Sequence, residues 1–448
     1  MPDAAPADAL FTDLYELTML QAYFDERMAG EAVFDLYVRS LPPQRNFLVA
    51  CGLEDAVAYL EGLRFTPEVL EYLRGLGLFS AGFIDHLASL RFSGDVRAVP
   101  EGAVVFGGEP LLEVVAPIAE AQLVETYLLN QLTFQTTIAS KGARAVIAAR
   151  GRTLVDFGSR RAHGTDAALK AARALYLAGF DATSNVRAGE RYGIPVAGTM
   201  AHSYIEAHES ERAAFTAFLN SFPDTVLLVD TYDTERGVMR AIDAARAVPG
   251  ARPRGVRLDS GDLLALAKRA RALLDEAGLR DTGIFASGGI DERQIAGLLA
   301  AGAPIDAFGV GTAAVVSPDA PALDSAYKLV AYDGRPTLKL SPEKMTLPGR
   351  KQVFRRYDGG RMAGDTIALA DESPGGEPLL IDVMSRGRRL AGDPSPLDAA
   401  RGRVRAQLAA LPEALRSLDP APDPYAVRIS PALARARDAL AARLARGT

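Results

Sequence analysis

Val256-Arg257-Leu258-Asp259-Ser260-Gly261-Asp262 places an arginine, two aspartates and a serine within one short stretch of a 448-residue chain. A guanidinium can grip carboxylate or phosphate through paired N–H donors. Carboxylates can accept bonds from sugar hydroxyls or hold Mg²⁺, often through water. Gly255–Leu258 reads as a short buried strand, and Leu263–Ala277 carries apolar residues at helical spacing as far as Gly278. Ser260 or Asp259 is the expected N-cap of that helix. The charged residues therefore sit where a strand feeds a helix, at the carboxyl edge of a parallel sheet, where ligands bind. A plainer reading is open for this turn alone: the acids cap the helix and Arg257 pairs with a neighbouring acid.

The same arrangement recurs along the chain. Phe157-Gly158-Ser159-Arg160-Arg161, Thr183-Ser184-Asn185, Gly198-Thr199-Met200-Ala201-His202-Ser203 and Asp230-Thr231-Tyr232-Asp233 each follow a short apolar run. Ser287-Gly288-Gly289 and Gly309-Val310-Gly311-Thr312 follow the last two. Helix capping alone would favour Ser, Thr and Asp at such places, but not three arginines and a histidine as well. The two glycine turns suit a phosphate, because glycine lets backbone N–H groups approach an anion at a helix N-terminus. Arginines for anions, with Asp230, Asp259 and Asp262 for hydroxyls or Mg²⁺, suit a polyphosphorylated sugar; a mutual ion-pair network is the competing reading. His202 is a base, a nucleophile toward a phosphoryl group, or a structural residue.

The elements that must carry these turns are short strands alternating with helices between Leu154 and Val310. Expected strands include Leu154–Phe157, Val196–Gly198 and Ala307–Val310, and expected helices include Asp166–Ala178 and Tyr204–Asn220. Such alternation implies a parallel sheet with right-handed crossovers. We expect an α/β protein: an irregular parallel (β/α) barrel of about seven strands plus an α+β domain built from both chain ends. The expected boundaries are 1–116 for the N-terminal α+β domain, 117–317 for the barrel, 318–394 for a β segment packing with the first domain, and 395–448 for a helical tail. In the first region Tyr15 falls off the apolar face of a helix opening at Asp13, and Arg39 ends an alternating strand before Pro42-Pro43. Strands are expected at Tyr327–Tyr332, Pro336–Leu340 and Gln352–Arg356, and a last helix opens at Ser430-Pro431. Lys344, Arg350 and Lys351 either reach a site or are solvated.

Composition narrows the class. A net charge of −6 argues against nucleic-acid or acidic-membrane binding. Cys51 is the only cysteine, which excludes an intrachain disulfide and a cysteine-based zinc site. The first residues lack the basic and apolar pattern of a signal peptide, and no apolar run reaches the roughly 18 residues of a membrane span. A cytoplasmic protein is expected.

Six stretches together resemble the nicotinate phosphoribosyltransferase family: Thr12–Met19 (TDLYELTM), Asp156–Gly164 (DFGSRRAHG), Gly198–Ser203 (GTMAHS), Leu228–Asp233 (LVDTYD), Gly255–Asp262 (GVRLDSGD) and Pro348–Val353 (PGRKQV). The resemblance implies transfer of a phosphoribosyl group from 5-phosphoribosyl 1-pyrophosphate to nicotinate. Nicotinate mononucleotide and pyrophosphate are the products, with ATP hydrolysed alongside in a ligase-type reaction of NAD salvage. It implies that His202 is transiently phosphorylated, that Phe157 stacks one face of the pyridine, and that Tyr15 of a second subunit covers the other in a homodimer with shared sites. It places Arg160 and Arg257 at nicotinate and pyrophosphate, with Thr199 beside them, and Asp230 and Asp259 near ribose and Mg²⁺. Ser287, Gly288, Gly289, Gly309, Gly311 and Thr312 fall at the 5′-phosphate, and Arg39 reaches phosphates across the dimer. Ser184 stands where nicotinamide-using relatives carry an acid; a carboxylate there would repel nicotinate, and serine does not. The C-terminal Cys/His metal cluster of some relatives is missing from this sequence. Competing readings are a nicotinamide or quinolinate enzyme, a phosphosugar aldolase or isomerase, and a barrel that senses phosphorylated ligands.

Overall fold

The middle of the chain folds as the alternation of apolar runs and polar turns requires. In a computed structural model, which describes residues 7–340, 346–390 and 396–447, residues 138–321 form one compact unit. Its strands are β1 (Thr153–Asp156), β2 (Ala182–Thr183), β3 (Val226–Leu228), β4 (Gly255–Leu258), β5 (Gly283–Ala286) and β6 (Ala307–Val310). They make one parallel sheet in the order β3-β4-β5-β6-β1-β2. Leu227, Leu228, Val256, Leu258, Ile284, Phe308 and Val310 are all buried, including sequence neighbours that point to opposite faces. Both faces are therefore covered, as parallel sheets demand. Truncating one of the leucines would cost about 2–5 kcal/mol.

Six strands stand where about seven were expected. The Val196–Gly198 run contributes only a one-residue parallel bridge, Val196 to Thr183. Pro195 has no N–H to extend a ladder, which explains the truncation. Among the described residues nothing pairs Val196 with β3, so the hydrogen-bonded ladder stays open.

The helices are α1 (Thr165–Ala178), α2 (Val186–Tyr192), α3 (His202–Glu206), α4 (Glu211–Ser221), α5 (Thr234–Ala247), α6 (Leu263–Glu276), α7 (Glu292–Ala300) and α8 (Thr312–Val316). The helix expected over Tyr204–Asn220 is thus two. Ser210 accepts the Ala213 N–H at 3.2 Å and starts α4 afresh. The N-cap of α6 is neither Asp259 nor Ser260 but Asp262, whose Oδ1 accepts from Leu264 and Ala265 N–H at 3.1 Å. Gly261, at φ +80°, turns the chain so that Asp262 arrives at the helix first. At the start of α7, Glu292 is buried against Lys141 at 2.7 Å and Arg144 at 3.1 Å, so these buried charges are paired.

Residues 1–137 and 322–448 form the second unit. Its main sheet has seven strands, antiparallel throughout, and joins segments distant in sequence. Ser325–Tyr332 lies against Glu31–Val38, which lies against Pro110–Pro117, then Asp95–Ala98 and Ile381–Ser385. A four-stranded sheet holds Lys351–Asp358 and Arg361–Leu369, with Val427–Ile429 added in parallel. The C-terminal stretch therefore supplies a strand as well as the helices Leu397–Ala410 and Pro431–Gly447. The second strand of the expected pair near residue 336 is only Arg335–Pro336. Of the cations near Pro348-Gly349, Arg350 bonds the buried Glu113 at 2.9 Å, and Lys351 is itself buried against Asp35 at 2.8 Å. Neither is merely solvated; Lys344 lies outside the described residues. Burial is the larger influence on Asp35 and pushes its carboxyl up to about 6, against the opposing charge of Lys351. Among the described residues, no helix is long and apolar enough to cross a membrane.

Candidate active site

Arg257, the third residue of β4, is the hub of the strand ends. Its Nε donates to Ser287 Oγ at 2.8 Å, Nη1 to Thr199 Oγ1 at 2.9 Å and to the Met200 carbonyl at 3.4 Å, and Nη2 to Asp259 Oδ1 at 2.7 Å. A guanidinium has five N–H donors, and the described residues take up four of them. The turns after β4 and β5 and the Gly198–Ser203 turn thus converge on one side chain. The same guanidinium stands 5.3 Å from the centroid of the Phe157 ring, which brings in the turn after β1. Phe157 also stacks on Phe285 at 5.6 Å.

The carboxylates have distinct jobs. Asp259 is held below the usual carboxylate range: partial burial pushes it up, but bonds from Ser287 and Arg257 and the charges of Arg257 and His202 outweigh burial. Asp230 Oδ2 accepts the Asp259 N–H at 2.8 Å and the Ser260 hydroxyl at 2.7 Å. Asp230 Oδ1 is buried with no hydrogen-bond partner among the described residues. That orphan oxygen is a fit for a divalent cation that keeps water and substrate oxygens as its other ligands. The described residues hold no ready-made cluster of three or more His, Cys, Asp or Glu for a metal. Asp262 has one oxygen engaged as the α6 cap.

His202 opens α3, and its Nδ1 lies 3.1 Å from Thr231 Oγ1, next to Asp230. Among the described residues, Nε2 is then the ring nitrogen without a hydrogen-bond partner. The glycines divide by geometry. A Cβ on Gly288 (φ +93°) would meet the Asp259 carbonyl oxygen at 1.7 Å, whereas one on Gly289 (φ +73°) would meet nothing. Gly309, expected with Gly311 at a phosphate cradle, lies inside β6, where the space of its missing side chain is filled by Phe157 and Phe285. Gly311 precedes α8 and Thr312 begins it.

Arg257, Thr199, Asp259, Ser287, Asp230, His202, Phe157, Gly288 and Gly309 are thus linked by direct contacts or one intervening residue. Arg160 and Arg161 form an exposed turn after β1, and Ser184 is exposed in the turn after β2, lining a depression with Ser159, Thr165 and Arg187. Tyr15 and Arg39 belong to the other compact unit. Tyr15 is exposed on the helix Leu14–Asp25, and its hydroxyl is pushed up by partial burial and by Glu125, Glu16 and Asp13. Arg39 is paired with Asp324. Phe285 was not anticipated from sequence, and Thr231, Asp156 and Thr183 lay in stretches named above without a role of their own. An acid directly after Leu154-Val155 in a buried strand was the available sign of the last pair.

Comparison with known proteins follows the same lines. Residues 10–133 match the model of the nicotinate phosphoribosyltransferase (NAPRTase) N-terminal domain, and residues 152–332 match that of the NAPRTase family. A nicotinate phosphoribosyltransferase of Mycobacterium tuberculosis, pncB2, is 56% identical over 424 residues, covering 94% of this chain and 91% of the relative. The Bacillus subtilis nicotinate phosphoribosyltransferase is 46% identical over 376 residues, 81% of this chain and 76% of the relative. The crystal structure of human nicotinic acid phosphoribosyltransferase superposes with a TM-score of 0.84 at 31% identity, covering 96% of this chain and 99% of that one.

Proposed function

The chain belongs to the nicotinate phosphoribosyltransferase family, and from that premise we propose that it makes nicotinate mononucleotide in NAD salvage, with 5-phosphoribosyl 1-pyrophosphate as donor. The pyridine nitrogen attacks C1 of the ribose, the bond from C1 to the pyrophosphate oxygen breaks, and pyrophosphate leaves. The transition state carries oxocarbenium-like positive charge on the sugar and growing negative charge on the leaving group, so fixed charges at both ends lower the barrier. The observation that carries the reading is the convergence on Arg257: a guanidinium held by Ser287, Thr199 and Asp259 above the ring of Phe157.

In this reading Phe157 receives one face of the pyridine, and Arg257 and Arg160 receive carboxylate and pyrophosphate. Asp259, kept ionised, and Asp230 face the ribose. Asp230 and Asp259 would hold Mg²⁺, which would supply positive charge opposite the pyrophosphate. The N–H groups around Gly288, Gly289, Gly311 and Thr312 take the 5′-phosphate. Ser184 puts no negative charge opposite the nicotinate carboxylate. Tyr15 and Arg39 would come from the second subunit of a homodimer.

ATP coupling runs through His202. Its Nε2 attacks the γ-phosphorus of ATP, the bond to the β-γ bridging oxygen breaks, and ADP leaves; water later returns the phosphoryl group as phosphate. The modification would add about 1.5 to 2 negative charges, if it resembles other phosphorylated side chains, beside the strand-end arginines. That charge links ATP to donor affinity. Pyrophosphate release with nicotinate, nicotinamide or quinolinate, with and without ATP, tests the whole assignment. Nicotinate alone should support turnover, and ATP should raise it. In His202→Ala the ATP stimulation should vanish while slow ATP-independent synthesis survives; intact coupling in that variant overturns the histidine's role.

A further inference from the structure

Asp156 ends β1 directly after the buried Leu154 and Val155, and is itself only 1% exposed. Its Oδ1 accepts the Gly158 N–H at 2.7 Å, and its Oδ2 accepts the Thr183 hydroxyl at 2.7 Å. Thr183 Oγ1 in turn accepts the Asn185 N–H at 3.0 Å. The Asp156 carbonyl accepts the Ser184 N–H at 2.8 Å. One carboxylate thus grips the chain on both sides of Phe157 and, through one hydroxyl, on both sides of Ser184.

This bridge carries a cost. Burial is the largest influence on the Asp156 carboxyl and pushes it above the usual range, and the bonds from Gly158 and Thr183 draw it only part of the way back. An apolar side chain would end the strand without desolvating a charge. Backbone pairing of Asp156 with Thr183 already fixes the register of β1 and β2. What the side chains add is a fixed spacing between the two turns beyond the ladder. The rest of the Phe157 environment is equally constrained: its N–H donates to the Val310 carbonyl at 2.9 Å, and its ring fills the space beside Gly309. Gly158 has no freedom to drift, since even a methyl group there would meet Val315 at 2.1 Å.

The geometry points to Asp156 and Thr183 as positioning residues that hold the Phe157 ring and the Ser184 hydroxyl at one separation and so set the enzyme's grip on the aromatic acid. Neither would touch the substrate. The assignment rests on the reaction proposed above, which puts the pyridine against Phe157 and its carboxylate toward the Ser184 side.

Thr183→Val keeps the shape of the side chain and removes the bridging hydroxyl. In that variant KM for nicotinate should rise about tenfold, the scale of one lost buried hydrogen bond, while kcat and KM for the phosphoribosyl donor stay within about twofold. Thr183→Ser should restore the nicotinate KM, because a serine hydroxyl can make both bonds. Thr183→Ala, with less bulk to place, is read the same way if the valine variant is not recovered folded. An unchanged nicotinate KM in a folded hydroxyl-free variant, an equal rise in both KM values, or no rescue by serine overturns the positioning role. So does loss of the fold in both valine and alanine variants, which would make the bridge purely structural. If the unaltered enzyme itself turns over no nicotinate, the underlying reaction fails instead, and this assignment with it.

Discussion

Asp259 shows how one residue is tuned by its neighbours. Its folded-state pKa lies below its ordinary value, so the carboxylate contributes stability that is fully present above about pH 4 and is lost as pH falls through the folded value. Asp259→Asn should therefore lower the unfolding free energy by about 1.5–3 kcal/mol at pH 7, the scale of a hydrogen bond to a charged partner. The deficit should shrink as pH falls toward 3. Urea titrations of both proteins across that range check the sign, and a gap that widens at low pH would contradict it. At this scale residue types were legible from sequence and partners were not. Arg257 and Asp259 announce themselves by type and spacing. The bond from Arg257 to Thr199 depends on where the Gly198–Ser203 turn settles beside the sheet, which local sequence does not encode. The orphan oxygen of Asp230 is likewise a product of packing.

Among the elements, the turn between β5 and α7 makes the sharpest demand on sequence. Gly288 and Gly289 both have positive φ, but only Gly288 abuts a neighbouring backbone, the carbonyl of Asp259. Gly289→Ala should cost about 1–2 kcal/mol, the penalty of left-handed backbone for a residue with a Cβ. Gly288→Ala should cost more than that and should also reduce phosphoribosyl transfer, because β4 and β5 cannot both keep their turns. Thermal melts and pyrophosphate release of the two variants, side by side, decide whether steric contact or backbone strain dominates. The alternation of strands and helices was legible because each apolar run is short and each turn carries glycine or a capping aspartate or asparagine. The gap between α3 and α4 falls in the polar run His208–Arg212, which contains neither glycine nor proline, so no breaker residue marked it. The lost seventh strand was hidden too: Val196 reads as strand, and Pro195 beside it withholds the donor.

At the scale of the whole molecule, the proposed sharing of sites between subunits has a direct consequence. If Tyr15 serves the partner's site and His202 its own, Tyr15→Ala and His202→Ala subunits should each be defective yet complement one another. Random mixing makes half the dimers hybrid, each with one intact site, so ATP-coupled turnover should return to about a quarter of wild type. Mixing that recovers nothing, or a chain that sediments as a monomer under assay conditions, would remove the shared-site arrangement. The strand Glu31–Val38 bears on a different stage in the life of this protein. Pro110–Pro117 can join one flank soon after it emerges from the ribosome, but the other flank belongs to Ser325–Tyr332. Throughout translation of everything between, a row of backbone donors and acceptors stands open, and such an edge recruits strands from other chains. Yield in a heterologous host would then depend on chaperone capacity during synthesis more than on the robustness of the finished enzyme.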